Sequence, residues 1–295
     1  MAGTPMAARP VAALAALALG FNAFTWGVSW WPFRQLEAQG LHALWSTVLI
    51  YGLAALLITV LRPAAWRELL RTPTLWVLVL ASGTTNVCFN WGVTMGDVVR
   101  VVLLFYLMPL WAVGLARLLL NERLTPLAGV RVGLALAGAA IVLWPEGGGL
   151  PLPQGLAEWL AILGGFSFAL NNVMLRHQAH RSDAARALAM FSGGTVVAGA
   201  LVVTLALQGQ APWPPAPAWG WGLGALGLAL WFLLGNLALQ YGASRLPANA
   251  TAVIMVSEVL FAAVSAVLLG AGTLSAPLLL GGGLIVAASL LAARH

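Results

Sequence analysis

Apolar residues follow one another through this chain in long blocks, and the blocks end where arginine, proline or clustered glycine appears. A bilayer core takes about 20 apolar helical residues per crossing. Ten blocks reach that length, at approximately 12–33, 42–61, 74–95, 98–118, 126–145, 156–175, 186–207, 218–241, 247–269 and 274–293. The pattern predicts an all-α polytopic membrane protein of ten transmembrane helices. Its longest connectors, PEGGGLPLPQG at 145–155 and QGQAPWPPAPAW at 208–219, leave no room for a soluble domain or a nucleotide-binding loop. Function is therefore expected among the helices. The opening MAGTPMAARPVAALAALALGF resembles a signal peptide, yet the run continues through Trp26, Trp30 and Trp31 without a small-residue cleavage site and reads as the first span.

Composition agrees with that reading: 61% of the 295 residues are hydrophobic, 7% are charged, and the mean hydropathy is +0.93, far from a soluble domain. Apart from four histidines, every basic residue is arginine. Arg9, Arg62, Arg67, Arg71, Arg117, Arg123, Arg176, Arg181, Arg186, Arg245 and Arg294 fall on the side of the N-terminus, with Arg131 close enough to snorkel there; only Arg34 and Arg100 fall opposite. By the positive-inside rule both termini are expected in the cytoplasm. The same asymmetry accounts for the formal charge of +6 without invoking nucleic acid. Cys88, the single cysteine, excludes disulfides within the chain and thiolate metal sites.

The stretch TTNVCFNWG at 84–92 sets two asparagines four residues apart in an apolar run, and it has a counterpart. At a constant offset of 150, NVCFNWG meets NLALQYG: Asn86 falls on Asn236, Asn90 on Gln240, Trp91 on Tyr241 and Gly92 on Gly242. The register continues without a gap through Leu110, Ala112, Leu118, Leu124, Gly133 and Ala137, each of which meets its own kind. The chain reads as a duplicated five-helix unit, 1–145 and 156–295, joined by an extracytoplasmic connector at 146–155. Because five is odd, the second copy crosses in the opposite sense. Inverted repeats let a central site face first one side and then the other, which is the architecture of secondary transport.

These features, with the turn LLNERLTPL at 119–127 and its degenerate partner LLGAGTLSAPL at 268–278, resemble the EamA-type branch of the drug/metabolite transporter superfamily over essentially the whole chain. Within that branch the chain looks like YddG-type aromatic amino-acid exporters, and the direction of transport is implied by this resemblance. The family often carries Glu-Pro in its ninth helix; here Glu258 is followed by Val259, and the proline stands in the first half as Pro109.

Glu258 is the only carboxylate deep inside a span. An ionised acid at that depth costs roughly 2.5 to 3.5 kcal/mol on insertion scales, so it is read as a proton-coupling or ammonium-binding group, with a hydrogen-bonded structural acid as the alternative. Asn86 and Asn90 share a helical face, as do Asn236 and Gln240. They predict a polar stripe toward a cavity, with interhelical hydrogen bonding as the alternative. Of the adjacent Asn171 and Asn172, about 100° apart, one is expected to point inward. Trp26, Tyr106 and Trp231 are candidates to stack on an aromatic or cationic cargo, whereas Trp30, Trp31 and Trp91 fit an interfacial belt. Arg100 either guides a substrate carboxylate or snorkels and pairs with Asp97. Pro109 frees the carbonyl of Phe105 and offers a hinge. Gly129, Gly133 and Ala137, with Gly283 and Ala287, predict small-residue packing seams.

The histidines lie in loops or at helix ends, and no HExxH or GxSxG pattern occurs. No catalytic residue, cofactor or metal is expected. The expectation is a multi-pass carrier of the bacterial inner membrane, monomer or homodimer. It exports aromatic and other neutral amino acids or small amphipathic metabolites, organic cations included, by alternating access. Its partners are the cargo and membrane lipid. A flippase for lipid-linked cargo and an intramembrane lipid-modifying enzyme are the alternatives.

Overall fold

The computed structural model describes residues 8–120, 126–145, 150–243, 245–246 and 254–292, and every regular element among them is an α-helix. In chain order they are α1 (Ala8–Val28), α2 (Trp30–Ala38), α3 (Ala43–Leu61), α4 (Ala64–Arg71), α5 (Pro73–Met95), α6 (Val98–Phe105), α7 (Met108–Leu120) and α8 (Pro126–Leu143). The second half contributes α9 (Leu156–His177), α10 (Asp183–Leu207), α11 (Trp219–Ala243), α12 (Ser257–Leu268) and α13 (Ala276–Ala292). The residues 121–125 within LLNERLTPL, the connector residues 146–149 and the side chain of Gln240 lie outside the described set.

Local chemistry sets several helix ends. Asp97 caps α6 by accepting from the Arg100 amide, Ser182 caps α10 by accepting from the Ala185 amide, and Pro73 opens α5, where a missing N–H goes unneeded. Among the described residues, seven helical segments are long and apolar enough to cross a membrane; α12 and α13 are shorter apolar helices. The 23-residue α5 is as long but falls outside that set. Ser82, Thr84, Thr85, Asn86 and Asn90 in its middle lower its hydropathy.

Four features depart from uninterrupted spans. The first span is interrupted at Ser29, whose hydroxyl donates to the Trp26 carbonyl at 2.8 Å, and resumes as α2. Between α3 and α5 the amphipathic α4 buries Ala65 and Leu69, an element that the hydropathy blocks did not predict. The fourth span breaks at Tyr106 and Leu107, just before Pro109, the second residue of α7. The Leu107 amide there donates to the Leu104 carbonyl at 3.2 Å, and the Leu110 amide to the Leu107 carbonyl at 3.0 Å, a tighter winding than the α-helix. In the second half a helical segment is interrupted at Val256, which is Tyr106 plus 150, and the Val259 amide donates to the Val256 carbonyl at 3.1 Å. The interruption thus recurs at the equivalent place without a second proline.

The two halves interleave rather than stand side by side. α5 packs on α9 and α10, and its counterpart α11 packs on α1 and α3; α7 packs on α9, and α12 on α1. α3 meets α10, and α8 meets α13, each pairing corresponding elements of the two halves. Two main buried clusters result: one around α6, holding Trp30, Phe89, Phe105 and Val259, the other around α3 and α10, holding Phe33, Tyr51, Phe191 and Phe232. The outer surface exposes Leu56, Val60, Leu80, Leu118, Leu230 and Leu260, as a hydrocarbon surround requires.

The seam between α8 and α13 uses different glycines from those expected. Gly129, Gly133 and Gly283 face open space, whereas a Cβ on Gly138 or Gly281 would run into the other residue's carbonyl. The four-residue periodicity was present, but contact is decided by the face the neighbouring helix takes.

Candidate functional site

Where the two halves meet, a cavity of about 180 Å³ is walled by residues from both. α1 supplies Asn22 and Trp26, α3 Tyr51, α5 Ser82, Thr85, Asn86 and Phe89, and the broken fourth span Phe105. The second half supplies Phe168, Asn171, Asn172 and Leu175 from α9, Met190 and Phe191 from α10, and Phe232, Asn236 and Leu239 from α11. Met255 and Glu258 complete it from the two sides of the Val256 interruption. The wall is mainly aromatic and apolar with a few convergent polar groups, the usual make-up of a small-molecule site.

The cavity has a closed end and an open end. At the closed end, Trp26, Phe89 and Phe105 lean on one another edge to face, with centroids 6.4 Å and 5.0 Å apart. Beyond them lie the buried Val93, Val98 and Val101. Further out, polar ties hold the helices together. The Arg34 guanidinium donates to the Val93 and Gly96 carbonyls at 2.9 Å and 2.5 Å, and the Trp30 indole donates to the Ser265 hydroxyl at 2.9 Å. Arg100 pairs with Glu158 of α9 at 2.6 Å, and the Asp97 carboxylate accepts from the Thr273 amide at 3.1 Å. The open end lies toward Leu175, Met190 and Leu239, where Asn172 is exposed.

Glu258 is buried, and the Tyr106 hydroxyl donates to its Oε2 at 2.9 Å. Tyr106 is thus placed behind the acid rather than on the wall. The backbone around Tyr106 is itself held by α9: a Cβ on Gly165 would collide with the Phe105 carbonyl, so only glycine lets the two backbones approach this closely. Phe105 is the residue whose carbonyl Pro109, lacking an N–H, cannot engage.

The amides of TTNVCFNWG separate. Asn86 reaches the cavity, its Nδ2 donating to the Ser82 carbonyl at 2.8 Å and its Oδ1 accepting from the Tyr51 hydroxyl at 2.5 Å. Asn90, one turn further, is fully buried and donates to Thr47 Oγ1 at 3.1 Å, fastening α5 to α3. Its counterpart Gln240 has its side chain outside the described residues, while Asn236 borders the cavity as Asn86 does. Asn171 and Asn172 both border the cavity, because the second stands at its open rim, so the expectation of a single inward amide does not hold.

Three aromatic and charged positions fall elsewhere than expected. Trp231 is away from the cavity, edge-on to Phe21 and Phe24. Trp30 is 2% exposed and bonded to Ser265, a core residue rather than part of an interfacial belt; Trp31, 46% exposed, is on the surface. Arg100 pairs with Glu158, not Asp97, whose carboxylate instead caps α6. Among the residues that the sequence reading missed are Asn22, Tyr51 and Phe232. Asn22 carried a usable signal, a lone amide in an apolar span, but Tyr51 and Phe232 have no polar neighbour in sequence to mark them.

Membrane-length apolar helices packed around a mainly apolar cavity with a few convergent polar groups define a membrane transporter. The chain belongs to the EamA-like transporter family, whose pattern matches it twice, over residues 13–144 and 155–294, within the drug/metabolite transporter superfamily. It is 35% identical over 140 residues to the uncharacterized transporter PA0485 of Pseudomonas aeruginosa, covering 44% of this chain and 46% of that one. It is 31% identical over 165 residues to protein RarD of Streptomyces exfoliatus, covering 52% and 49%. The chain thus spans about half the length of the curated relatives it matches. A solved crystal structure shares the fold with a TM-score of 0.58 over 94% of this chain and 96% of that one, at 18% identity.

Proposed function

We propose that this protein is a secondary transporter of the bacterial inner membrane that exports aromatic and other neutral amino acids, or small amphipathic metabolites, by alternating access. In this reading ten helices form two inverted five-helix repeats, 1–145 and 156–295, with both termini cytoplasmic. The arginine asymmetry supports the orientation. Adding α5 and the two shorter apolar helices to the seven clear spans supports the count. The open end of the cavity then faces the cytoplasm, and the Arg34, Arg100 and Asp97 ties close the other side.

One observation carries the proposal: corresponding elements of the two halves meet around a shared cavity, with Asn86 and Asn236 on its wall from equivalent positions. Such a site opens to the other side when each half takes up the packing of its counterpart. The interruptions at Tyr106–Leu107 and Val256 give the two spans beside the cavity a place to bend. Trp26, Phe89, Phe168 and Phe232 would receive an aromatic side chain, and Asn86, Asn171, Asn236 and Glu258 its polar end.

Liposomes containing the purified protein test this directly. Labelled phenylalanine and tryptophan are expected to exchange against unlabelled internal substrate above the background of empty liposomes. Absence of exchange by protein that remains folded defeats the amino-acid reading.

A further inference from the structure

Asn22 of α1 and Asn172 of α9 both border the cavity, and they lie 150 residues apart, the offset that relates Asn86 to Asn236. Their surroundings are opposite. Asn22 is 1% exposed, and its Nδ2 donates to the Gly235 carbonyl at 2.8 Å, fastening α1 to α11. Asn172 is exposed at the open rim. Phe89 at the closed end and Leu239 toward the open end stand in the same relation. The helix pairs that carry the two amides also differ in register. A Cβ on Gly242 of α11 would lie 2.8 Å from the Ala15 carbonyl of α1. A Cβ on its counterpart Gly92 of α5 would lie 3.6 Å from the Ala157 carbonyl of α9. Ala157 stands about two turns before Gly165, the counterpart of Ala15.

Equivalent segments held in unlike packing are the two arrangements that an inverted repeat exchanges. The counterpart of Gly235 is Thr85 of α5, the helix on which α9 packs. We infer that Asn22 and Asn172 are alternating latches. In the observed form the Asn22 bond to Gly235 holds the closed end shut. In the form open to the other side, α9 shifts along α5 until Asn172 is buried with its Nδ2 on the Thr85 carbonyl, and Asn22 is released. A backbone carbonyl keeps a second lone pair beyond its helical bond, so Thr85 can accept as Gly235 does. The inference rests on the alternating-access reading and supplies the polar contact that trades places. Both amides act by positioning helices, with no contact to cargo required of either.

The test is labelling of single cysteines by an impermeant maleimide, and it needs no cargo. In a Cys88→Ala background, Val93→Cys reports opening of the closed end to reagent added outside, and Leu175→Cys reports the open end in inside-out vesicles. Asn22→Ala is expected to speed Val93→Cys labelling about fivefold and to slow that of Leu175→Cys. Asn172→Ala is expected to slow Val93→Cys labelling about fivefold, each change being the size of one neutral hydrogen bond. Its thermal unfolding should stay parental, because the bond it removes is absent from the observed form. Asn172→Ala therefore decides even where Asn22→Ala fails to fold. Val93→Cys labelling that is unchanged or faster in Asn172→Ala overturns the inference. So does Asn22→Ala protein in which both positions react faster, since that is general loosening. Val93→Cys that never reacts in folded parental protein overturns the alternating-access reading as well. Opposite shifts in labelling without phenylalanine exchange sustain the latches and defeat only the amino-acid reading.

Discussion

The Tyr106 hydroxyl donates to the Glu258 carboxylate at 2.9 Å across 152 residues of sequence, joining the break in the fourth span to the interruption in its counterpart. Each residue alone is a liability in an apolar span. Together they place one polar contact where both helices lose regularity. Removing the phenol leaves a buried acid without this donor, so Tyr106→Phe is expected to lower stability by about 1–3 kcal/mol, measured as thermal unfolding of the detergent-purified protein. Glu258→Gln keeps an acceptor for Tyr106 and should retain near-parental stability while exchange falls.

Gly165 tests how tightly the break is held. A Cβ at Gly165 would fall on the Phe105 carbonyl, a backbone group rather than the end of a flexible side chain. Gly165→Ala is expected to destabilise by about 1–3 kcal/mol through overpacking, whereas Gly133→Ala, facing open space, should be nearly neutral; thermal unfolding of both variants makes the comparison.

His42 supplies a pH dependence outside the spans. Its Nδ1 accepts from the Leu44 amide at 3.2 Å, which requires the neutral ring, and burial lowers its pKa below the ordinary 6.5 against an opposing pull from Glu37. A fold that favours the neutral ring is fully supported above that value and loses support as pH falls from it toward the lowered one. Because the ring is half-buried, the loss is expected to be less than about 1 kcal/mol. Unfolding temperature followed from pH 7.5 to about 5 should decline for the parent and flatten for His42→Asn, which keeps a capping acceptor.

The pair between Arg100 and Glu158 fastens α6 to α9 beyond the closed end of the cavity. If that end opens during transport, Arg100→Ala should raise the population of the open form about fivefold, as expected for a pair worth about 1 kcal/mol. In a Cys88→Ala background, a cysteine replacing the fully buried Val93 should then react correspondingly faster with an impermeant maleimide added from outside. An unchanged rate would mean that the pair does not guard an opening.

Much of this architecture was legible in order along the chain. Seven of the ten hydropathy blocks coincide with single helices to within a few residues, because a helix in lipid must be apolar over its whole length and polar residues mark its ends; the first and fourth are each divided in two, and the ninth begins outside the described residues. The relation of Asn86 to Asn236 was visible as an echo, and both border the cavity. Glu258 stood out because a carboxylate is conspicuous in an apolar run.

Other features depended on which helix faces which. Asn86 and Asn90 share a helical face in sequence, yet one meets the cavity and the other Thr47, because α3 sets Thr47 against the second amide and Tyr51, itself on the cavity wall, against the first. Trp30 and Trp31 are adjacent aromatics at one helix end, and the first is a core residue whose indole N–H reaches Ser265 of α12, far away in sequence. Composition and periodicity determined that the chain forms apolar helices in two related sets, since those properties belong to each segment alone. Which amide is left unpaired on a cavity wall was decided by tertiary structure, because a hydrogen bond is satisfied or orphaned only by what a distant part of the chain brings within 3 Å or so.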